Sequence, residues 1–133
     1  MNILCPFCKI IKHDKARRII KENDLAFVIR DGYPVSAGHT LIIPKRHVAS
    51  FFEITNEERH ALLDLLDQAK KALDQEFSPA AYNIGINDGA SAGQTVSHLH
   101  IHLIPRYKGD VEDPRGGIRW IMPDKVDYWS NNK

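Results

Sequence analysis

The chain has no apolar run approaching the roughly 20 residues that a membrane-crossing helix needs. Its 133 residues include only two cysteines, and neither sign of charge dominates: 18 Lys and Arg stand against 17 Asp and Glu, a net +1. That balance argues against the basic surface of a general nucleic-acid or membrane binder. Two cysteines cannot build a disulfide framework, and in a reducing compartment they stay thiols. The opening residues, Met1 to Pro6, lack the basic and long apolar regions of a secretory leader. No internal repeat or low-complexity tract marks a second domain. The loop from Asp88 to Thr95 is rich in small residues, but no Gly-Lys-Ser/Thr follows it, so it is not a Walker-type phosphate loop. The expectation is one cytoplasmic domain over residues 1–133, with a polar, Pro/Gly-containing tail from about residue 108.

Against these absences one stretch stands out, His98-Leu99-His100-Ile101-His102-Leu103-Ile104-Pro105-Arg106. Histidines at every second position, with apolar residues between them, have the period of a β-strand. On a strand all three imidazoles would share one face, about 6.5–7 Å apart, with Leu99, Ile101 and Leu103 turned into a core. Neutral imidazoles can serve as nucleophile, acid, base or metal ligand near neutral pH. One metal ion cannot take all three, because the outer pair would lie about 13 Å apart and metal–nitrogen bonds are about 2 Å. The three histidines must therefore have separate tasks.

Cys5-Pro6-Phe7-Cys8 admits three readings: a redox pair, half of a zinc site, or two incidental cysteines. The redox reading lacks the preceding strand that it needs. His47, directly after Pro44-Lys45-Arg46, is either an exposed residue or a third ligand. Cys5, Cys8, His47 and one histidine of the strand would close a tetrahedral Cys₂His₂ site, which leaves no open position and is structural.

The rest of the chain supplies scaffold. Residues 16–21, 25–29, 39–44 and 81–87 read as strands, with turn chemistry in Glu22-Asn23-Asp24. Thr55 and Glu58 form a capping box that opens a helix to about Phe77. Its apolar stripe is Leu62, Leu66, Ala69, Leu73 and Phe77. His60 is expected to be a solvated surface residue. Trp120 and Trp129 in the tail call for burial on this domain or on a partner.

The triad His98-Leu99-His100-Ile101-His102-Leu103-Ile104 resembles the signature of the histidine triad (HIT) superfamily at every position. Gly38 to His47 and Gly93-Gln94-Thr95-Val96 resemble two further family segments, so the likeness spans about residues 3–107. It implies an α+β fold: an antiparallel sheet of about five strands, one long helix and a short N-terminal helix, usually as a homodimer. It also implies hydrolysis of nucleotide substrates at the α-phosphorus. Carried over by position, His100 is the nucleophile that forms a nucleotidyl-histidine. Its other ring nitrogen is expected to donate to a backbone carbonyl. His102 contacts the phosphate and can stabilise its charge when protonated. Gln94 joins His100 and His102 as a catalytic residue, and Gln94, Thr95 and Gly93 belong to the phosphate and leaving-group region. Asn87 lies near the ribose and phosphate, Asp31 accepts from the ribose hydroxyls, and Ile29 lines the base pocket. His39 resembles a supporting histidine of the sheet. The resemblance further implies a structural zinc on Cys5, Cys8, His47 and His98. Pro105-Arg106-Tyr107-Lys108-Gly109-Asp110 looks more like the Fhit type, which acts on dinucleoside polyphosphates, than the Hint type, which cleaves nucleoside phosphoramidates. The expected partner is a diadenosine polyphosphate or AMP conjugate. The alternatives are a phosphoramidase, or a nucleotide-binding regulator with little turnover.

Overall fold

The computed structural model describes residues 4–130. Met1-Asn2-Ile3 and residues 131–133 lie outside the described residues. A short helix, α1 (Pro6–Lys12), is followed by β1 (Ile19–Glu22), β2 (Ala26–Arg30) and β3 (Thr40–Pro44). A 22-residue helix, α2 (Asn56–Phe77), then leads to β4 (Ala81–Gly85) and β5 (Ile101–Arg106). The strands form one antiparallel sheet in the order β1-β2-β3-β5-β4. Among the described residues no helix is long and apolar enough to cross a membrane.

The sheet is covered on both faces, which is why the β2 and β3 sequences are nearly continuous apolar runs. Val28, Ile42, Leu99, Ile101 and Leu103 face α2 and pack with Leu62, Leu65 and Leu73. Phe27, Ile29, Leu41 and Ile43 face the other way and pack with Phe7, Cys8 and Ile10 of α1. The helix stripe includes Leu65, which is fully buried, in addition to the expected positions; Leu66 and Phe77 are only partly buried. His60 is exposed, as expected.

α2 begins with the expected capping box: Glu58 N–H donates to Thr55 Oγ1 at 3.0 Å, and Thr55 N–H donates to Glu58 Oε1 at 2.9 Å. Glu58 is buried and also takes both Arg46 Nη2 at 2.8 Å and Arg46 Nε at 3.0 Å. This pair ties the segment beyond β3, including His47, to the start of α2.

The triad strand differs from expectation. β5 starts only at Ile101, so His98 and His100 lie before it. The register that pairs Ile42 with Ile101 would set Pro44 opposite Leu99. Proline has no N–H for the ladder, so pairing stops there. Leu99 N–H instead donates to Val48 O at 2.7 Å. β1 and β4 are also shorter than expected, and β1 carries a register shift between Ile19 and Lys21.

The tail folds into two short 3₁₀ turns, Gly117–Ile121 and Pro123–Lys125. Arg115 stacks over the half-buried Trp129 at 4.4 Å, while Trp120 stays 53% exposed.

Candidate active site and metal centre

Leu41 pairs with His102 across β3 and β5, so His102 faces the α1 side of the sheet. His100 lies beside it, with ring centroids 5.1 Å apart. His100 Nδ1 is 2.8 Å from the carbonyl oxygen of His98. A carbonyl only accepts, so the proton sits on Nδ1, and the neutral ring keeps its lone pair on Nε2. This is the backbone hydrogen bond expected for a nucleophilic imidazole.

His102 is held by a directional chain. Val35 N–H donates to His39 Nδ1 at 3.1 Å. Neutral His39 therefore carries its proton on Nε2, which lies 2.9 Å from His102 Nδ1 and 3.4 Å from Asp31 Oδ2. His102 accepts on Nδ1 and must carry its own proton on Nε2. Burial, then the neighbouring His100 and His39, push His102 down to about 4, against an opposing pull from Asp31. His39 is also lowered by burial. At neutral pH His102 is thus an uncharged N–H donor and not a cation. Asp31, His39 and His102 cluster closely enough to suggest a metal. The Val35 N–H argues against one, because His39 Nε2 would have to lose the proton that this bond assigns to it.

The second cluster has the opposite character. The ligand atoms of Cys5, Cys8, His47 and His98 all lie within 4.8 Å of one another. His98 Nε2 donates to Pro44 O at 2.7 Å, which turns the Nδ1 lone pair towards the cluster. That Nδ1 is 3.4 Å from Cys5 Sγ, 3.6 Å from Cys8 Sγ and 3.2 Å from His47 Nδ1, and Cys8 Sγ is 3.3 Å from His47 Nδ1. A tetrahedral zinc with bonds of about 2.0–2.3 Å has ligand–ligand edges of about 3.3–3.8 Å. The donor set and its spacing fit. Cys5, Cys8 and His98 are buried, so the centre is closed as a structural site would be.

The loop between β4 and β5 is anchored to the segment after His47. Gln94 Nε2 donates to Ala49 O and Val96 O, both at 3.0 Å, while its Oε1 accepts from Gly89 N–H at 2.8 Å. Asp88 Oδ2 accepts from Ser50 Oγ at 3.1 Å and from Phe51 N–H at 2.9 Å. Both amide hydrogens of Gln94 are therefore committed to backbone. Gly93 sits at φ +96° with open space around it, so conformation and not room demands the glycine there. Asn87 and Thr95 are exposed. Asp31 is half-buried and accepts from Tyr33 N–H at 2.8 Å. Ile29 is fully buried, within the α1-side cluster and not on an open wall.

Two features escaped the sequence reading. Phe7, between the two cysteines, places its ring 5.6 Å from His98 and 5.1 Å from His100. Its position inside the Cys-x-x-Cys segment was the available signal. Asp88 as a clamp had none beyond its place in a turn-rich loop.

The fold and paired-histidine site define a histidine triad domain, and comparison with known proteins agrees. The HIT domain family model matches residues 12–109, and the chain belongs to the HIT family. An adenosine 5'-monophosphoramidase of Schizosaccharomyces pombe is 38% identical over 126 residues, covering 92% of this chain and 90% of that protein. An asymmetrical bis(5'-nucleosyl)-tetraphosphatase of the same organism is 41% identical over 80 residues, covering 60% of this chain and 44% of that protein. The crystal structure of a zinc-bound histidine triad family protein from Mycobacterium smegmatis is 34% identical. It superposes with a TM-score of 0.72, covering 80% of this chain and 77% of that one.

Proposed function

We propose that this protein hydrolyses nucleotide conjugates at the α-phosphorus through a covalent nucleotidyl-His100, with dinucleoside polyphosphates or other AMP-linked compounds as substrates. The observation that carries this reading is the 2.8 Å bond from His100 Nδ1 to His98 O, which places the lone pair of the neutral ring on Nε2. His100 Nε2 attacks phosphorus; the N–P bond forms as the bond to the leaving group breaks. The departing group takes the electron pair, and where it is an amine it takes a proton from solvent. Water then attacks the same phosphorus and releases its proton to solvent, and the N–P bond breaks with the electron pair returning to His100 Nε2. Throughout, Nδ1–H stays on the His98 carbonyl, whose oxygen offsets the positive charge gained by the ring. His102 Nε2–H donates to the phosphate as a neutral group, which lets the anion gain a fixed donor without a buried cation. Gln94 serves by holding the Gly89–Val96 loop, whose Gly93 and Thr95 line the phosphate region. Asp31 and Asn87 flank the ribose; Ile29, with no exposed surface, serves the core and not the base pocket.

A phosphoramidase reading is favoured by one finding, the near-complete coverage of the S. pombe phosphoramidase. The run Pro105–Asp110 does not counter it. Arg106 gives Nε and Nη2 to Asp110 at 2.8 and 2.9 Å and Nη1 to Asn83 at 2.6 Å, so this run locks a turn. The same active-site chemistry cleaves either bond. We infer also that Cys5, Cys8, His47 and His98 hold a structural zinc, supported by the fit of the donor set. Zinc there neutralises two thiolates and pins α1 to the sheet. A cytoplasmic homodimer completes the reading, with edge strand β4 and its 52% exposed Ile84 as the candidate interface.

The test is quenched-flow labelling with substrate radiolabelled at the α-phosphorus. Acid-labile, base-stable label on His100 is expected, and its loss in His100→Asn. A His100→Asn variant that turns over as fast as the parent overturns the assignment. Rates on diadenosine tetraphosphate and adenosine 5'-phosphoramidate, measured side by side, decide between the two substrate classes.

A further inference from the structure

Phe7 occupies an unusual position between the metal centre and the site. In sequence it is flanked by Cys5 and Cys8. In space its ring meets His98 edge-on, at an interplanar angle of 89°, and His100 at 66°. The backbone on either side is fixed: Cys5 caps α1, with its Sγ accepting from Cys8 N–H at 3.4 Å, and Pro6 opens the helix. Phe7 is 7% exposed, and its neighbours Cys5 and Cys8 are buried. The backbone that carries the phenyl ring is thus held by two residues of the cysteine–histidine cluster.

Among the described residues, one hydrogen bond and two ring contacts orient His100. One hydrogen bond, to His98 O, sets its tautomer. His102 touches it from one side at 5.1 Å and Phe7 from another, also at 5.1 Å. A ring rotated about its Cβ–Cγ bond would lose the carbonyl bond and redirect Nε2. An aromatic edge against an imidazole has a preferred geometry that an aliphatic side chain of similar bulk does not reproduce.

We propose that Phe7 is a positioning residue, which transmits the rigidity of the Cys5-Cys8-His47-His98 centre to the nucleophile and holds His100 in the one orientation where Nδ1–H meets the His98 carbonyl. The proposal deepens the functional reading above, since it rests on His100 being the nucleophile. The alternative is plain packing, because Phe7 also belongs to the apolar cluster of Phe27, Ile29, Leu41 and Ile43. The two differ in what leucine can do: packing is largely restored by Phe7→Leu, whereas orientation is not.

The experiment uses the full-length, zinc-loaded protein with ¹⁵N-labelled histidine. Long-range ¹H–¹⁵N spectra report the His100 tautomer whether or not the protein turns over any substrate. Parent protein is expected to show one tautomer, protonated on Nδ1. Phe7→Leu is expected to keep about one zinc per chain, to show mixed His100 tautomers, and to lose about ten-fold or more in kcat. KM should stay within about three-fold. Phe7→Tyr, which restores the ring edge, should return both readouts to the parent. Phe7→Met, a second apolar replacement, is read in the same way and decides if Phe7→Leu does not fold. A single tautomer in Phe7→Leu with kcat within about two-fold of parent overturns the proposal. So does loss of zinc in parallel with the tautomer, because Phe7 would then act on the centre and not through it. If the tautomer responds as expected but the parent forms no label on His100, positioning stands and the nucleophile reading falls.

Discussion

His39 Nε2 lies 2.9 Å from His102 Nδ1, and the Val35 N–H on the far side of His39 leaves only one direction for the proton between them. His39 donates, His102 accepts, and His102 carries its own N–H on Nε2. A buried histidine on β3's leading edge thereby sets the hydrogen-bonding character of a residue on β5. Replacing His39 by Phe keeps the apolar volume but removes the donor. His39→Phe is expected to lower kcat by about 10²-fold, the scale of losing one aligned donor to an oxyanion. Zinc content should be unchanged. Steady-state kinetics with metal analysis checks this.

Acid should destabilise the fold through His102. Its imidazole is held at about 4 in the fold against 6.5 ordinarily, so between those values the unfolded chain binds more protons. The stabilising contribution is whole above about pH 6.5 and is lost as pH falls through about 4. Urea unfolding of parent and His102→Asn between those values should show a shallower pH dependence in the variant. Equal slopes would remove His102 as the cause.

The Arg46–Glu58 pair should be worth more than a surface ion pair. Glu58 is buried, accepts from both Arg46 and Thr55 N–H, and is held below its ordinary carboxylate range by Arg46 first. Glu58→Ala removes the side-chain half of the capping box and strands those donors, at a cost of about 2–3 kcal/mol. The depressed carboxyl means that this contribution is present above its ordinary value of 4.5 and fades as pH falls below it. Chemical denaturation at pH 7 and pH 4 tests both statements.

Ser78 ends α2 in the left-handed region at φ 50°, ψ 51°. Its hydroxyl lies 3.4 Å from Asp74 O, a weak compensation. Ser78→Gly should stabilise the fold by about 0.5–1 kcal/mol, because glycine reaches this conformation without the Cβ penalty. Thermal unfolding should show a higher midpoint with unchanged activity.

Metal removal should act on stability before chemistry. A ligand present at about 1,000 times its Kd stabilises a fold by about 4 kcal/mol. Chelation of the zinc-loaded protein is therefore expected to lower the unfolding midpoint, and His47→Ala to abolish the chelator effect. An identical midpoint with and without chelator would remove zinc from the centre.

Much of this was readable from local pattern. Periodicity and capping chemistry marked α2 from Thr55 to Phe77, because a helix end needs an acceptor for its free N–H groups whatever lies around it. The alternation of Leu99, Ile101 and Leu103 marked one side of the triad for the core, where all three are buried. The residue types in Cys5, Cys8, His47 and the triad pointed to a closed four-ligand centre, since few other arrangements use them together. The sheet order, the short β5 and the partners of each histidine were not readable. They depend on pairings between residues far apart in sequence: Pro44 ending the ladder opposite Leu99, Val35 fixing His39, and Phe7 reaching His100. A histidine's tautomer and charge follow from what faces each ring nitrogen, and only the folded chain decides that. The sequence determined that three imidazoles stand in a row. The tertiary structure gathered one of them with Cys5, Cys8 and His47, gave the second a backbone acceptor on Nδ1, and made the third a neutral donor.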